Sequence, residues 1–166
     1  MKIKIQPKKV NKKNFQKFGD IISTKNTKSL KINNGFAFKY ENLANINVYK
    51  KDGKIKLNIF KSLSRKFPLK IEMLEKHPLS TQTFFPIEHT IFLVVVAPPG
   101  NIPLSNKIES FIIPPKTGIN FKVGIWHYPL ISLVNSEFLV IERKGFGNNY
   151  KEHYFQNDII TINYAK

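Results

Sequence analysis

His77, His89, His127 and His153 are the imidazoles of this chain, and it contains no cysteine. Disulfide, thiol-nucleophile and zinc–thiolate chemistry are therefore closed to it. What remains is nitrogen and oxygen chemistry, and one stretch concentrates it: Glu75-Lys76-His77-Pro78 leads into Thr81-Gln82-Thr83. On a strand, side chains repeat on one face every two residues, so Glu75 and His77 project together. Gln82 comes five residues after His77, far enough for a turn and a return on the next strand. Much later, His127 closes the segment Gly124-Ile125-Trp126-His127, just before Pro129. Imidazole and oxygen ligands suit a divalent first-row metal. The plainer reading is that Glu-X-His is a common pairing with no ion attached. His89, between Glu88 and Thr90, reads as a surface residue in a turn, and His153 lies in a polar segment with no chemical context. Trp126, the only Trp, reads as a core anchor beside His127 and a candidate for the pocket wall.

The elements that must position these residues are mostly strands. Residues 11–18 predict one short helix, with Phe15 and Phe18 on one face and Gly19 as its stop. Strand patterns follow at 35–40, 46–49, 54–60, 69–74, 83–85, 91–97, 110–113, 130–134 and 138–142. Asp52-Gly53, between two of these runs, is a tight hairpin signal. Pro98-Pro99-Gly100 and Pro114-Pro115 mark loops. Many short strands with turn signals predict an all-β sandwich or closed barrel, whose interior is a natural ligand site. No repeat or linker divides the 166 residues, so a single domain spanning 1–166 is expected, large enough to bury a sizeable core.

The formal charge of +16 points toward polyanions, but 25 of the 27 basic residues are lysine. The arginines are Arg65 and Arg143 alone, whereas readers of base edges favour arginine. The lysines are scattered, so the expectation is general attraction of small anions and no specific nucleic-acid partner. The first residues lack a signal peptide's apolar core, and the apolar run at 91–99 is too short to cross a bilayer. A cytoplasmic location and no membrane partner are expected.

The Glu75-X-His77 pair with Gln82, and Gly124-X-X-His127, resemble the two cupin motifs, with Glu75 in place of the first His and Gln82 in place of a carboxylate, and that resemblance implies Glu75, His77, Gln82 and His127 as the metal ligands. Around them stand Phe18-Gly19-Asp20, Ile32-Asn33-Asn34-Gly35, Pro68-Leu69-Lys70-Ile71, Leu74-Glu75-Lys76-His77-Pro78-Leu79 and Thr81-Gln82-Thr83-Phe84. Val94-Val95-Val96-Ala97, Gly118-Ile119-Asn120, Trp126-His127-Tyr128-Pro129-Leu130 and Phe138-Leu139-Val140-Ile141-Glu142-Arg143 continue the series. In that order and spacing, the chain resembles the cupin-like ureidoglycolate lyases. The region after Gly147 shows little likeness. Lys61 and Lys76 stand where the family is expected to carry arginine, and lysine offers no bidentate fork to a carboxylate.

The resemblance implies a cupin-type β-barrel, a homodimer, a nickel requirement, and the splitting of ureidoglycolate to glyoxylate and urea. That reaction needs a base for the hydroxyl, an acid for the departing nitrogen and a cation for the carboxylate. His77 or His127 would bind a metal that acidifies the hydroxyl. Glu142 or Glu75 would accept the proton, and Arg143, Lys61 or Lys76 would hold the carboxylate. Asn33, Asn34 and Gln82 would read the urea amide, and Trp126 would border the substrate. The alternative is a non-catalytic cupin-like small-oxoacid-binding or regulatory protein.

Overall fold

Strands β1 (Lys2–Ile5) and β2 (Lys8–Lys9), helix α1 (Lys12–Phe15) and strand β3 (Gly19–Ile22) open the chain in the computed structural model, which describes residues 1–164. A hairpin of β4 (Leu30–Ile32) and β5 (Ala37–Lys39) follows, and then the long β6 (Lys54–Ser62). Next come β7 (Leu69–Ile71), β8 (Met73–Lys76), β9 (Gln82–Pro86) and β10 (Phe92–Ala97). The last elements are β11 (Glu109–Ile113), β12 (Gly118–Phe121), β13 (Trp126–His127), β14 (Ile131–Ser132), β15 (Ser136–Lys144), β16 (Lys151–Tyr154) and β17 (Ile159–Ile162).

The continuous apolar run of β10 explains the layering, because a strand buried on both faces has no polar side. Phe92, Val94 and Val96 enter one core with Phe84, Ile119, Phe121, Phe138 and Val140. Leu93, Val95 and Ala97 enter a second core with Leu69, Ile71, Trp126, Ile160 and Ile162. The first core therefore lies between the β3-β12-β9-β15-β6 sheet and the seven-stranded sheet β16-β8-β13-β10-β11-β2, in which β14 also pairs with β10. The second lies between that seven-stranded sheet and the small β1-β17-β7 sheet. The mainly β class with a short N-terminal helix agrees with the sequence reading. Among the described residues the pairing forms separate sheets, and no ring of strands closes a barrel.

Several local expectations change. The helix stops at Phe15, held at its start by Asn11 and Asn14, each side chain accepting the other's backbone N–H. Phe15 and Phe18 are buried in the first core, Phe15 edge-on to Phe111 at 5.4 Å, so the helix plugs that core. Residues 69–74 form parts of two strands, because β7 pairs in the small sheet and β8 in the seven-stranded one. Residues 46–49 form no regular strand, so Asp52-Gly53 is not a hairpin turn: Lys50–Asp52 is a 3₁₀ turn leading into β6. Gly53 is required by close approach, since a Cβ there would lie 2.0 Å from the Val48 carbonyl oxygen and 2.4 Å from Arg143 Nε.

Candidate metal and substrate site

Strand β13 lies beside β8, with His127 directly opposite Glu75, and β16 on the other side of β8 sets Glu152 opposite the same Glu75. His127 pairs across from Val96, a first-core residue, so it faces the space between the two large sheets. His77 follows β8 by one residue, and Glu75, His77 and His127 bring their ligand atoms within 4.8 Å of one another. Glu75 Oε1 is 3.4 Å from His127 Nε2 and 4.0 Å from His77 Nε2.

The second nitrogen of each ring decides what these atoms can do. His77 Nδ1 lies 2.8 Å from the Asn149 carbonyl oxygen, and His127 Nδ1 lies 3.0 Å from that of Ile125. A carbonyl only accepts, so each Nδ1 carries the proton and each Nε2 presents a lone pair. Both Nε2 atoms are buried without a hydrogen-bond partner. With backbone carbonyls fixing both tautomers, two lone pairs and a carboxylate face one another, a donor set that could hold a cation. Phe121 stacks on His127 at 4.5 Å and prevents the ring from swinging.

Burial works to raise the Glu75 carboxyl, but the neighbouring His127, with His77 and Tyr150, outweighs it and holds Glu75 below the usual carboxylate range. Burial, then the neighbouring His127, pushes His77 below the usual histidine range. An ionised carboxylate beside a neutral imidazole is the protonation state a divalent ion needs.

The facing sheet supplies the rest. Gln82 alternates with Phe84 on β9, and Glu142 with Val140 on β15, so both point into the same interior. Gln82 Nε2 donates to Glu142 Oε1 at 2.8 Å, Asn58 Nδ2 donates to the other oxygen, and Gln82 Oε1 is left buried without a partner. A cavity of about 240 Å³ joins His77, Gln82, Glu142, Lys56, Asn149 and Tyr150. A second, of about 480 Å³, joins Glu75, Gln82, Phe84, Phe60 and Leu130, and opens beside Ile59 and Lys61.

The fold thus brings Glu75, His77, His127, Gln82 and Glu142 together. Other candidates are placed differently. Arg143 borders the smaller cavity, but its Nε donates to the Lys50 carbonyl at 3.1 Å, and one terminal nitrogen donates to Lys50, Lys51 and Phe146 carbonyls at 2.7, 3.1 and 2.8 Å. It braces two loops. Lys76 donates to the Gly100 carbonyl and sits 4.3 Å above the Trp126 ring. Trp126 points into the second core, opposite to His127. Lys61 is exposed and pairs with Glu137 at 3.5 Å. Asn33 and Asn34 stand exposed in the turn of the β4–β5 hairpin, where φ values of 52° and 55° suit asparagine. His89 is exposed, and His153 packs against Trp126 and Phe155.

Sequence reasoning missed Lys56, Asn58, Asn149, Tyr150 and Glu152. Lys56 and Asn58 sit in a strand whose alternation was visible, so its polar inward positions could have been read. Asn149, Tyr150 and Glu152 lie in a polar segment without periodicity, and only its pairing with β8 brings them to Glu75. Tyr150 hydroxyl donates to Glu152 at 2.9 Å; burial first, then Glu152 and Glu75, raises it above the usual phenol range.

Comparison with known proteins finds relatives over nearly the whole chain. A ureidoglycolate lyase of Pseudomonas paraeruginosa is 38% identical over 94% of this chain and 92% of its own. One from Pseudomonas putida is 36% identical over 92% of each chain. Among solved structures, a 3,4-ketoisomerase from Helicobacter canadensis overlaps at a TM-score of 0.42 with 13% identity, covering 80% of this chain and 89% of that one, and carries no weight. Residues 2–162 match the family described as ureidoglycolate lyase, and the chain belongs to that family.

Proposed function

We propose that this protein splits ureidoglycolate into glyoxylate and urea, using the space between the two large sheets. The reading rests on one observation above all: His77 and His127 are locked with buried Nε2 lone pairs toward Glu75, in a chain of this family. The substrate carbon carries a carboxylate, a hydroxyl and a urea nitrogen. Its cleavage removes the hydroxyl proton, forms C=O, breaks C–N and protonates the departing nitrogen, so one proton moves from oxygen to nitrogen. Glu142, oriented by Gln82 and Asn58, takes that proton and returns it to the nitrogen. Lys56, which borders the same cavity, holds the carboxylate in place of Arg143, whose guanidinium is engaged by backbone carbonyls. Glu75, His77 and His127 would hold a divalent ion, with Gln82 Oε1 as a further ligand. Such an ion supplies Lewis acidity to the hydroxyl oxygen. Nickel, a homodimer and a cytoplasmic location extend the proposal from the family likeness. Among the described residues, no helix is long and apolar enough to cross a membrane.

The test is incubation of the purified chain with ureidoglycolate, following urea and glyoxylate with nickel and with chelator. Metal-dependent release of both above the spontaneous rate is expected. Binding of glyoxylate with no turnover would instead support the oxoacid-binding alternative.

A further inference from the structure

Asn149 lies in the irregular stretch between β15 and β16, where no strand pairing fixes the backbone. Its carbonyl nevertheless accepts the His77 Nδ1 proton at 2.8 Å, and that bond decides the chemistry of the ring. A neutral imidazole has a single N–H, and here two acceptors compete for it. Glu75 Oε1 lies 4.0 Å from Nε2, beyond hydrogen-bond reach, whereas the Asn149 carbonyl is in range of Nδ1. A carbonyl withdrawn by about an ångström no longer holds the proton. The proton would then move to Nε2, toward the carboxylate, and the lone pair facing Glu75 would be lost.

The side chain of the same residue holds that carbonyl in place. Asn149 Oδ1 accepts the Leu79 backbone N–H at 2.8 Å, and Asn149 Nδ2 donates to Ser80 Oγ at 2.8 Å. Leu79 and Ser80 belong to the turn that carries His77 from β8 toward β9, so one residue grips that turn at three atoms. Ser80 is only 2% exposed, so the anchor point is shielded from water. Two further contacts steady the stretch before Asn149. Arg143 donates to the Phe146 carbonyl at 2.8 Å, and a Cβ on Gly147 would lie 3.0 Å from Leu79 Cδ1.

We propose that Asn149 is a positioning residue: its side chain clasps the Leu79-Ser80 turn so that its own carbonyl keeps His77 in the tautomer whose Nε2 is free for a cation. His127 needs no such clasp, because the Ile125 carbonyl that fixes it, 3.0 Å from Nδ1, lies two residues away in the same segment. The two rings stand side by side, with 5.3 Å between centroids, so His127 serves as an internal reference for His77. The tautomer is independent of the cleavage reading, and its consequence for urea release rests on that reading.

The test is long-range proton–nitrogen NMR correlation on the metal-free full chain with isotope-labelled histidine, in mildly alkaline buffer where the rings are neutral. Nickel affinity is measured alongside by competition with a chelating dye. In the wild type, His77 and His127 should both show a protonated Nδ1 and a bare Nε2. Asn149→Ala should move His77 to averaged or Nε2-protonated shifts while His127 keeps its own, and nickel affinity should fall about tenfold or more. Asn149→Asp should restore both, because a carboxylate accepts from the Leu79 N–H and from the Ser80 hydroxyl, which turns to donate. Urea release by Asn149→Ala should be lost at limiting nickel and return at excess nickel. An Asn149→Ala chain that keeps the His77 tautomer and the nickel affinity overturns the proposal. One that disturbs His127 as much as His77 also overturns it, because Asn149 would then serve the fold at large, and so does an Asn149→Asp chain no better than Asn149→Ala. A wild type with the expected tautomers and no urea release refutes the cleavage reading and leaves the clasp standing.

Discussion

Replacing Glu75 by Gln removes a charge from the centre of the site while keeping the side chain's size. At 3.4 to 4.0 Å, the separations of Glu75 Oε1 from the two Nε2 atoms, a unit charge interacts with a carboxylate by about 4–5 kcal/mol at an effective dielectric of about 20. Reorganised water recovers part of this, so affinity for a divalent ion should fall on the order of 100-fold or more. The metal-free fold should not suffer, because a Gln amide N–H can donate to an Nε2 that now has no partner. The two effects separate in a thermal-shift assay with nickel and with chelator. At an ion concentration near 100 times Kd, the wild type gains about 2.7 kcal/mol, or about 5–10 °C for a chain of this size. The variant, bound near its own Kd at that concentration, gains about 0.4 kcal/mol, too little to resolve, and loses urea release. An undiminished nickel shift together with normal turnover would refute the cation-site reasoning outright.

Lys56→Ala should raise KM for ureidoglycolate about tenfold or more, with a smaller change in kcat, if its ammonium holds the carboxylate; steady-state kinetics decides. Arg143→Ala should instead cost about 2–4 kcal/mol in urea denaturation, because the Lys50 and Phe146 carbonyls lose a charged donor; a pure KM effect at unchanged stability would return Arg143 to the substrate. The metal-free chain should lose stability in acid. His77 titrates below its ordinary 6.5 and Glu75 below its ordinary 4.5, so each contribution is present above the ordinary value and lost as pH falls through the lowered one. His77→Asn should flatten the part of the denaturation-midpoint profile just below pH 6.5. His89→Ala and His153→Ala should leave urea release unchanged, whereas His77→Ala and His127→Ala should each reduce it by on the order of 100-fold or more.

What was legible in the sequence was whatever depends on local pattern. The period-two alternation of β6 and β15 and the unbroken apolar run of β10 marked strands, because burial on one face or on two writes itself into adjacent residues. Glu75 and His77 could be paired for the same reason: two positions apart on a strand means one face. His127 could be joined to them only through the family likeness, since nothing local connects residues so far apart. The polar edge strand β16 left no such trace, since an edge strand half in water carries no strong periodicity.

Tertiary structure alone decided which groups are free to act. Arg143 was one of three candidate grips for a carboxylate, with Lys61 and Lys76, yet two loops deliver carbonyls to its guanidinium. Trp126 and His127 are neighbours, but strand alternation sends one into the second core and the other into the site. Gly53, read as a turn residue, is demanded by Val48 and Arg143 pressing on it. The tautomers of both histidines are set by carbonyls of Asn149 and Ile125. Residue type and spacing supplied the candidate ligands. Which lone pairs remain unspent depends on long-range packing, and no local pattern records that.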